Sequence, residues 1–261
     1  RRVLCCYVKL IAKGNDYAQR VETTEDDIYE RAIGAMVEDA NTVKAVPYAG
    51  FWVPIKYPWH ILAVARQLLE QSTPNISPSA CISNSARVEG KVLIADNVRV
   101  LENVVIRGPA YIGANSVIGN NSLVRDYAHI GSNTVVGFST EVKGSYIGDN
   151  CWFHQCYVGD SIIGDNCSFG AGTVLSNFRF DEGNIKVKIG SELVDTGRNK
   201  LGAIVGNACK TGVNVTIMPG VRIGPGSIIG PHMCLTRDVE PGKLALIESN
   251  YKVMEKDTKC Q

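Results

Sequence analysis

An interval of six residues between aliphatic side chains is the feature that most constrains how this chain can fold. From Ile82 to Val142 an isoleucine or a valine stands at every sixth position. A helix would place apolar residues three or four apart and a half-buried strand two apart, so neither explains the interval. A hexapeptide period is typical of a parallel β-solenoid, in which short strands turn a corner every six residues. The eleven residues of this column are Ile82, Val88, Ile94, Val100, Ile106, Ile112, Ile118, Val124, Ile130, Val136 and Val142.

The column is interrupted at a few places. The step shortens to five residues between Val142 and Ile147, and the pattern breaks over residues 176–204 before it resumes at Val205. A solenoid accommodates insertions only as loops that leave the coil, and such loops often carry function. We therefore expect the chemistry of the protein beside these irregular positions.

The pattern divides the chain into four segments. Residues 1–71 do not repeat, residues 72–79 have the Ser and Pro content of a linker, and residues 80–239 form the predicted solenoid. Residues 240–261 are polar and predict a C-terminal tail.

Within the first segment the sequence predicts two helices and a strand. A Thr cap and an amphipathic pattern indicate a helix at about 25–39, and residues 43–55 predict a strand. Pro58 suits the first position of a second helix over about 58–71.

Bulk properties exclude several classes of partner. The net charge of +1 gives no reason to expect a nucleic-acid or a membrane partner, and no apolar run has the length of a membrane span. The nine cysteines are odd in number and form no CxxC, so we expect reduced thiols in a cytoplasm, with those in the repeat serving as small apolar fillers. The start at Arg1, without a methionine, suggests a fragment of a longer protein.

Several residues near the interruptions resemble a known family. Gly170-Ala171-Gly172-Thr173 followed by Asn177, and preceded by His154 and Tyr157, are similar to the acetyltransferase domain of the bifunctional sugar-1-phosphate nucleotidylyltransferases/acetyltransferases. The similarity covers almost all of residues 80–240, and the long insertion resembles the archaeal branch. The resemblance implies a mainly β fold, a left-handed parallel β-helix, assembled as a homotrimer with sites between subunits and with acetyl-CoA as donor.

Residues 1–71 resemble the end of the nucleotidylyltransferase domain that precedes the β-helix in this family. The segment from Ala45 to Val53 carries the similarity, but the glycine-rich phosphate loop is absent from this chain. Where the family has a metal-binding aspartate this sequence has Pro54, whose side chain offers no oxygen to a hard cation. We therefore expect nucleotidyl transfer to be missing here.

The resemblance assigns the attack of an amine on a thioester to His154 and Asn177. His154 matches the general base, for which imidazole suits because its pKa lies near neutrality. Asn177 matches the asparagine that holds amine and thioester in line, and Tyr157 would line the sugar-phosphate pocket. Without the resemblance these would be a surface histidine, a turn former and an interface tyrosine.

Arg125 and Lys143 match the two phosphate-binding residues of the family. Their separation of 18 residues is one full coil of three hexapeptides, so we expect them to stack one coil apart. The alternative is a pair of solvated surface cations. Lys186 or Lys188 could add a third contact to the phosphate.

The same resemblance places the acetyl-CoA donor along the later coils. Ala171 and Asn207 match positions near the donor thioester, and Lys210 and Arg237 are candidates for the nucleotide phosphates. The acceptor is expected to be glucosamine 1-phosphate, galactosamine 1-phosphate, or both.

Two other functions compete with an acetyltransferase. A zinc-dependent carbonic anhydrase needs three histidines, two of them five residues apart, and His60, His129, His154 and His232 contain no such pair. A non-catalytic β-helix that trimerises or regulates a nucleotidylyltransferase would have no reason to keep the whole set of site residues. We therefore predict a cytoplasmic, metal-independent hexosamine-1-phosphate N-acetyltransferase.

Overall fold

The computed structural model describes residues 28–44, 46–53 and 55–248, and the chain divides into two compact units between Trp52 and Val53. The first unit contains helix α1 (Ile28–Glu38), and the second contains helix α2 (His60–Gln71) and a parallel β-solenoid. Neither of these two helices has the length and apolar character needed to cross a bilayer.

In the first unit the helix prediction is confirmed and the strand prediction is wrong. Helix α1 buries Ala32 and Met36, while residues 25–27 of the predicted span lie outside the described residues. The described part of residues 43–55 contains no strand, and the side chains of Val46 and Trp52 are exposed. A single apolar segment does not form a stable strand unless a neighbouring strand pairs with its backbone.

Helix α2 begins two residues later than Pro58 suggested. Residues 58 and 59 form a turn, Trp59 occupies the N-cap position, and the helix runs from His60 to Gln71. Its buried side chains, Leu62 and Leu69, lie on one face two turns apart, as an amphipathic helix requires.

The solenoid has three parallel sheets, and successive coils add one strand to each. Sheet A contains Asn75–Ile76, Val92–Ile94, Ala110–Ile112, Ala128–Ile130, Tyr146–Ile147, Ile162–Ile163, Ile204–Val205 and Arg222–Ile223. Sheet B contains Cys81–Ile82, Arg99–Val100, Val117–Ile118, Val135–Val136, Trp152–Phe153, Ser168–Phe169, Lys210–Thr211, Ile228–Ile229 and Leu244–Ala245. Sheet C contains Arg87–Glu89, Val105–Arg107, Leu123–Arg125, Glu141–Lys143, Tyr157–Gly159, Val174–Leu175, Thr216–Ile217 and Cys234–Leu235.

The solenoid extends beyond residues 80–239 at both ends. Its first strand, Asn75–Ile76, lies inside the predicted linker and pairs with Leu93 and Ile94. Its last strand, Leu244–Ala245, pairs with Ile228–Ile229. Short polar corners between two-residue strands have the composition of a linker, so composition alone did not separate the two.

The six-residue column forms the core, as the interval predicted. Nine of its eleven members are at most 1% exposed, whereas Ile82 and Val88 are only partly covered. Those two lie in the end strands of sheets B and C, so they have a neighbouring coil on one side only. Further along, the rings of Phe153 and Phe169 stack with centroids 4.9 Å apart.

The corners explain why glycine and asparagine recur in the sequence. Asn97, Asn115 and Asn133 adopt φ of 57°, 59° and 54°, a left-handed conformation that asparagine tolerates. Their side-chain amides form a ladder, with Asn97 donating to Asn115 at 3.2 Å and Asn115 to Asn133 at 3.3 Å. A Cβ at Gly113 would lie 2.5 Å from the backbone of Gly131, so the coil spacing itself requires glycine there.

Cysteines in the corners do more than fill space. The Ser116 hydroxyl donates to the carbonyl oxygen of Gly131 at 2.8 Å. In later coils the thiols of Cys167 and Cys209 donate to the carbonyl oxygens of Gly206 and Gly224, each at 3.2 Å. The interpretation as apolar filler was therefore incomplete, since a buried thiol here replaces a hydroxyl as donor.

The insertion between residues 176 and 204 contains an antiparallel hairpin of Lys186–Ile189 and Glu192–Asp195. It packs beside sheet A and α2 through a second apolar cluster, separate from the solenoid core. The buried members of this cluster are Trp59, Leu62, Ile162, Ile185, Val187 and Leu201.

The aromatic stack gives a direct test of the core. Phe153→Ala should lower the free energy of unfolding by about 3–5 kcal/mol, because it removes a fully buried ring and leaves a cavity against Phe169. Phe138→Ala, at a ring that is 56% exposed, is the matched control and should cost far less. Urea unfolding measures both, and equal losses would contradict the assignment of Phe153 to the core.

Candidate active site

A largely buried ion pair joins Lys143, a predicted site residue, to Asp160 at the corner between sheets C and A. Lys143 ends one strand of sheet C, and Asp160 follows the next strand, with Lys143 Nζ and Asp160 Oδ2 2.7 Å apart. The same Oδ2 accepts a hydrogen bond from Asn177 Nδ2 at 2.5 Å. The structure therefore brings Lys143 and Asn177 together through Asp160.

Asp160 was not among the predicted site residues, although the sequence contained a signal for it. It lies one residue after Gly159, which pairs with Lys143 in sheet C because the coil between them, with two five-residue steps, is 16 residues long. Its side chain is 10% exposed and that of Lys143 is 13% exposed, so the pair is largely shielded from solvent screening.

Tyr157 contacts the same asparagine. Its hydroxyl donates to Asn177 Oδ1 at 3.4 Å. Burial, and then the nearby carboxylates of Glu141 and Asp160, raise the pKa of Tyr157, so the phenol stays protonated and able to donate. A Cβ at Gly159 would lie 2.8 Å from Asn177 Nδ2, and only glycine lets the amide lie across this strand.

Arg125 stacks directly opposite Lys143 in the ladder of sheet C, as the 18-residue separation predicted. Its guanidinium is already engaged by two carboxylates. Nε donates to Glu141 Oε1 at 2.8 Å, and Nη1 lies 2.5 Å from Asp126 Oδ2.

His154 lies at a different corner, between sheets B and C. Its side chain is exposed, as predicted, and its backbone N–H donates to the carbonyl oxygen of Phe169 at 3.2 Å. Ala171 lies at the same corner in the next coil, where Gly172 N–H donates to the carbonyl oxygen of Gln155 at 3.1 Å. Within one chain His154 and Asn177 are thus at opposite ends of the strand Tyr157–Gly159.

The other predicted residues are dispersed over the later coils. Asn207 lies at the corner between sheets A and B and accepts the Asp165 N–H at 3.0 Å, and Lys210 is exposed on sheet B. Lys186 and Arg237 line a cleft of about 710 Å³ that Lys188 and Arg222 also line. The cavity beside Lys143 is lined by none of the four predicted residues Asn207, Lys210, Lys186 and Arg237.

That cavity, of about 500 Å³, is the space next to the Lys143–Asp160 pair. Sequence reasoning missed three of its cations, Arg66, Arg198 and Lys200. The last two were missed because the path of the insertion cannot be read from a repeat that it interrupts. The lining residues are Leu62, Arg66, Asp126, Tyr127, Lys143, Gly144, Asp160, Gly197, Arg198, Asn199 and Lys200.

Across the described part of the chain, no group of three or more His, Cys, Asp or Glu side chains is placed to hold a metal ion.

The repeat itself matches a family model, the bacterial transferase hexapeptide (six repeats), over residues 91–126 and 144–177. The uncharacterized acetyltransferase YaiX of Escherichia coli is 34% identical, over 68% of this chain and 76% of its own length. The chain belongs to the hexapeptide-repeat transferases.

Other relatives confirm the resemblance found in the sequence. The bifunctional sugar-1-phosphate nucleotidylyltransferase/acetyltransferase of Sulfurisphaera tokodaii is 39% identical over 81% of this chain and 53% of its own length. The bifunctional protein GlmU of Methanocaldococcus jannaschii is 41% identical over 76% of this chain and 48% of its own length. The chain therefore spans about half the length of these relatives.

Among solved structures, a UDP-N-acetylglucosamine acyltransferase from Bacteroides fragilis, LpxA, aligns with 65% of this chain and 70% of its own. The identity is 19% and the TM-score 0.44.

The ion pair of this hexapeptide-repeat transferase can be tested by a double-mutant cycle. Asp160→Asn should lower the free energy of unfolding by about 3–5 kcal/mol, because it leaves the Lys143 charge buried without a counter-charge. Adding Lys143→Met should recover part of that loss.

The control is the exposed pair Arg179–Asp181, where Asp181→Asn should cost far less because solvent screens both charges. Chemical denaturation gives all four values. Additive losses in the double variant at 143 and 160 would show that the two side chains do not depend on each other.

Proposed function

We propose that this chain is an acetyl-CoA-dependent N-acetyltransferase that acts on a hexosamine 1-phosphate. The observation that carries the proposal is the Lys143–Asp160–Asn177 network with Tyr157 beside it. In this network Lys143, the predicted phosphate contact, and Asn177, the predicted amine contact, are held by one carboxylate. The names of the archaeal relatives support the same activity.

The hydrogen bonds of Asn177 define what it can offer a substrate. Its Nδ2 donates to Asp160 and its Oδ1 accepts from the Tyr157 hydroxyl, so the second lone pair of Oδ1 is the acceptor left for an amine. An amine needs an acceptor to hold one of its N–H bonds while its lone pair attacks, and Oδ1 supplies it. Lys143 and Arg125 would lie on the phosphate side of the sugar, and Lys186 is a further phosphate contact only if the insertion moves.

The reaction is then a single acyl transfer. The amine nitrogen attacks the thioester carbonyl carbon, the C–S bond breaks, and coenzyme A leaves as the thiol. His154 accepts the proton that the amine gives up, a role that suits an exposed imidazole. No metal ion takes part in this scheme.

The separation of His154 from Asn177 supports a homotrimer. Within one chain they lie at opposite ends of the strands of sheet C, so a second copy packed against this face would be needed to bring a histidine to the amine. Large apolar side chains on the flanking faces are available for such packing, since Trp152 is 46% exposed and Val174 is 38% exposed.

The donor would bind along the later coils of the same interface. Ala171 adjoins His154 and would lie near the thioester, and Asn207, Lys210 and Arg237 would contact the rest of acetyl-CoA. Free thiols in the core fit a reducing cytoplasm, where we place the protein. With Pro54 in place of a metal-binding aspartate, we expect no nucleotidyl transfer from this chain.

The deciding experiment is coenzyme A release from acetyl-CoA with glucosamine 1-phosphate or galactosamine 1-phosphate, read as free thiol. Sugar-dependent release above a no-sugar control is expected and would rank the two acceptors. No release from a protein confirmed as an intact trimer would favour the alternative, a non-catalytic β-helix that serves trimerisation or regulation.

The general base is tested separately. His154→Ala should reduce turnover by roughly 10²–10⁴-fold, because the attacking amine loses its proton acceptor. The side chain is exposed, so trimer mass and melting temperature should hold. Turnover close to that of the unmodified protein would remove His154 from this role.

A further inference from the structure

The charges around the Lys143 cavity are unevenly compensated. Lys143 is paired with Asp160, and Arg125 is paired with both Glu141 and Asp126. A cation that already has a carboxylate partner offers an incoming phosphate less attraction, since the phosphate must compete with that carboxylate. The two cations predicted to bind phosphate are therefore both partly neutralised.

Two further cations of the cavity differ in this respect. Among the described residues, no carboxylate lies within ion-pairing distance of Arg198 or Lys200. The Arg198 Nε donates weakly to the carbonyl oxygen of Lys200 at 3.4 Å, and the Lys200 Nζ lies 5.7 Å from the ring centre of Phe178. Burial lowers the pKa of Arg198, the Asp160 carboxylate opposes that change without forming an ion pair, and the neighbouring Arg66 lowers the pKa further.

The backbone holds these cations firmly beside the network. Leu201 N–H donates to the carbonyl oxygen of Asn177 at 3.1 Å, and Gly202 N–H donates to that of Asp160 at 2.9 Å. On the other side, Ile185 N–H donates to the carbonyl oxygen of Arg198 at 2.8 Å. The loop is therefore fixed to the two residues that position the amine acceptor.

Charge and space in the cavity both suit a dianion. Its lining has four cationic side chains, those of Arg66, Lys143, Arg198 and Lys200, against the two carboxylates of Asp126 and Asp160. Arginine offers phosphate a planar pair of N–H donors, and lysine adds a point charge. A volume of about 500 Å³ accommodates a phosphate together with part of a sugar.

We propose that Arg198 and Lys200, from the insertion, are the principal ligands of the phosphate group of the sugar 1-phosphate. The inference rests on the proposed function and deepens it. In a 2-amino sugar 1-phosphate the amine and the phosphate are on adjacent ring carbons. Asn177 and Lys143 share one carboxylate oxygen, so the amine at Asn177 places the phosphate beside Lys143 and within the cavity that Arg198 lines.

The test is calorimetric binding of glucosamine 1-phosphate, glucosamine, inorganic phosphate and acetyl-CoA to the unmodified protein and to Arg198→Gln. We expect Arg198→Gln to weaken binding of glucosamine 1-phosphate and of inorganic phosphate by roughly 10- to 100-fold, the value of a charge-assisted hydrogen bond. Binding of glucosamine and of acetyl-CoA should not change. Arg198→Lys should recover part of the phosphate affinity, because it keeps the charge and loses the fork.

Arg179→Gln is the matched control. Arg179 is in the same insertion, but it is exposed, paired with Asp181, and lines a different cavity. Its substitution should leave all four affinities unchanged. Melting temperatures of both variants show whether the fold is intact.

Four results would overturn the inference. The first is unchanged phosphate affinity in Arg198→Gln. The second is an equal loss of affinity for glucosamine, which would show that Arg198 has a purely structural role. The third is a loss of affinity for acetyl-CoA alone, which would assign Arg198 to the nucleotide phosphates of the donor. The fourth is that the unmodified protein binds neither glucosamine 1-phosphate nor inorganic phosphate at millimolar concentration. Arg198-dependent phosphate binding without coenzyme A release would instead keep the site and refute the acetyltransferase.

Discussion

The hydrogen bonding of each coil to the next is the constraint on which the rest of this structure depends. Because the strands are parallel and in register, Ile94 pairs with Ile112 and Ile112 with Ile130, so each side chain lies over its equivalent one coil earlier. The same stacking places Arg125 over Lys143 on the outer face of sheet C. The hydrophobic column and the polar site are therefore two consequences of one ladder.

The periodic part of this arrangement could be predicted from the sequence, and the aperiodic part could not. Counting correctly located the buried column from Ile94 to Val142 and the stacked Arg125 and Lys143. Arg198 belongs to an insertion that follows no period, so its approach to Lys143 depends on tertiary contacts. The strand prediction over residues 43–55 was wrong for a related reason, since an apolar segment does not show whether a partner strand exists.

The buried carboxylate of Asp160 determines which polar groups of the site remain free to form further hydrogen bonds. Asp160 holds the Lys143 ammonium and the Asn177 amide nitrogen on one oxygen, which leaves the amide oxygen to accept from the Tyr157 hydroxyl. Gly159 permits the arrangement because a Cβ there would collide with the amide. Positioning of this kind depends on contacts between side chains, so residue types at matching positions identify only part of a site.

The insertion leaves and rejoins the solenoid at neighbouring points. The hydrogen bonds of Leu201 to Asn177 and of Gly202 to Asp160 fasten its end to its beginning, while the coils before and after it keep their register, with Ile163 paired to Val205. Its length and side chains can therefore diverge during evolution without disturbing the ladder. Under the proposed function, acceptor preference would be a modular property, because a change in the insertion could alter the sugar that is bound while the coils stay the same.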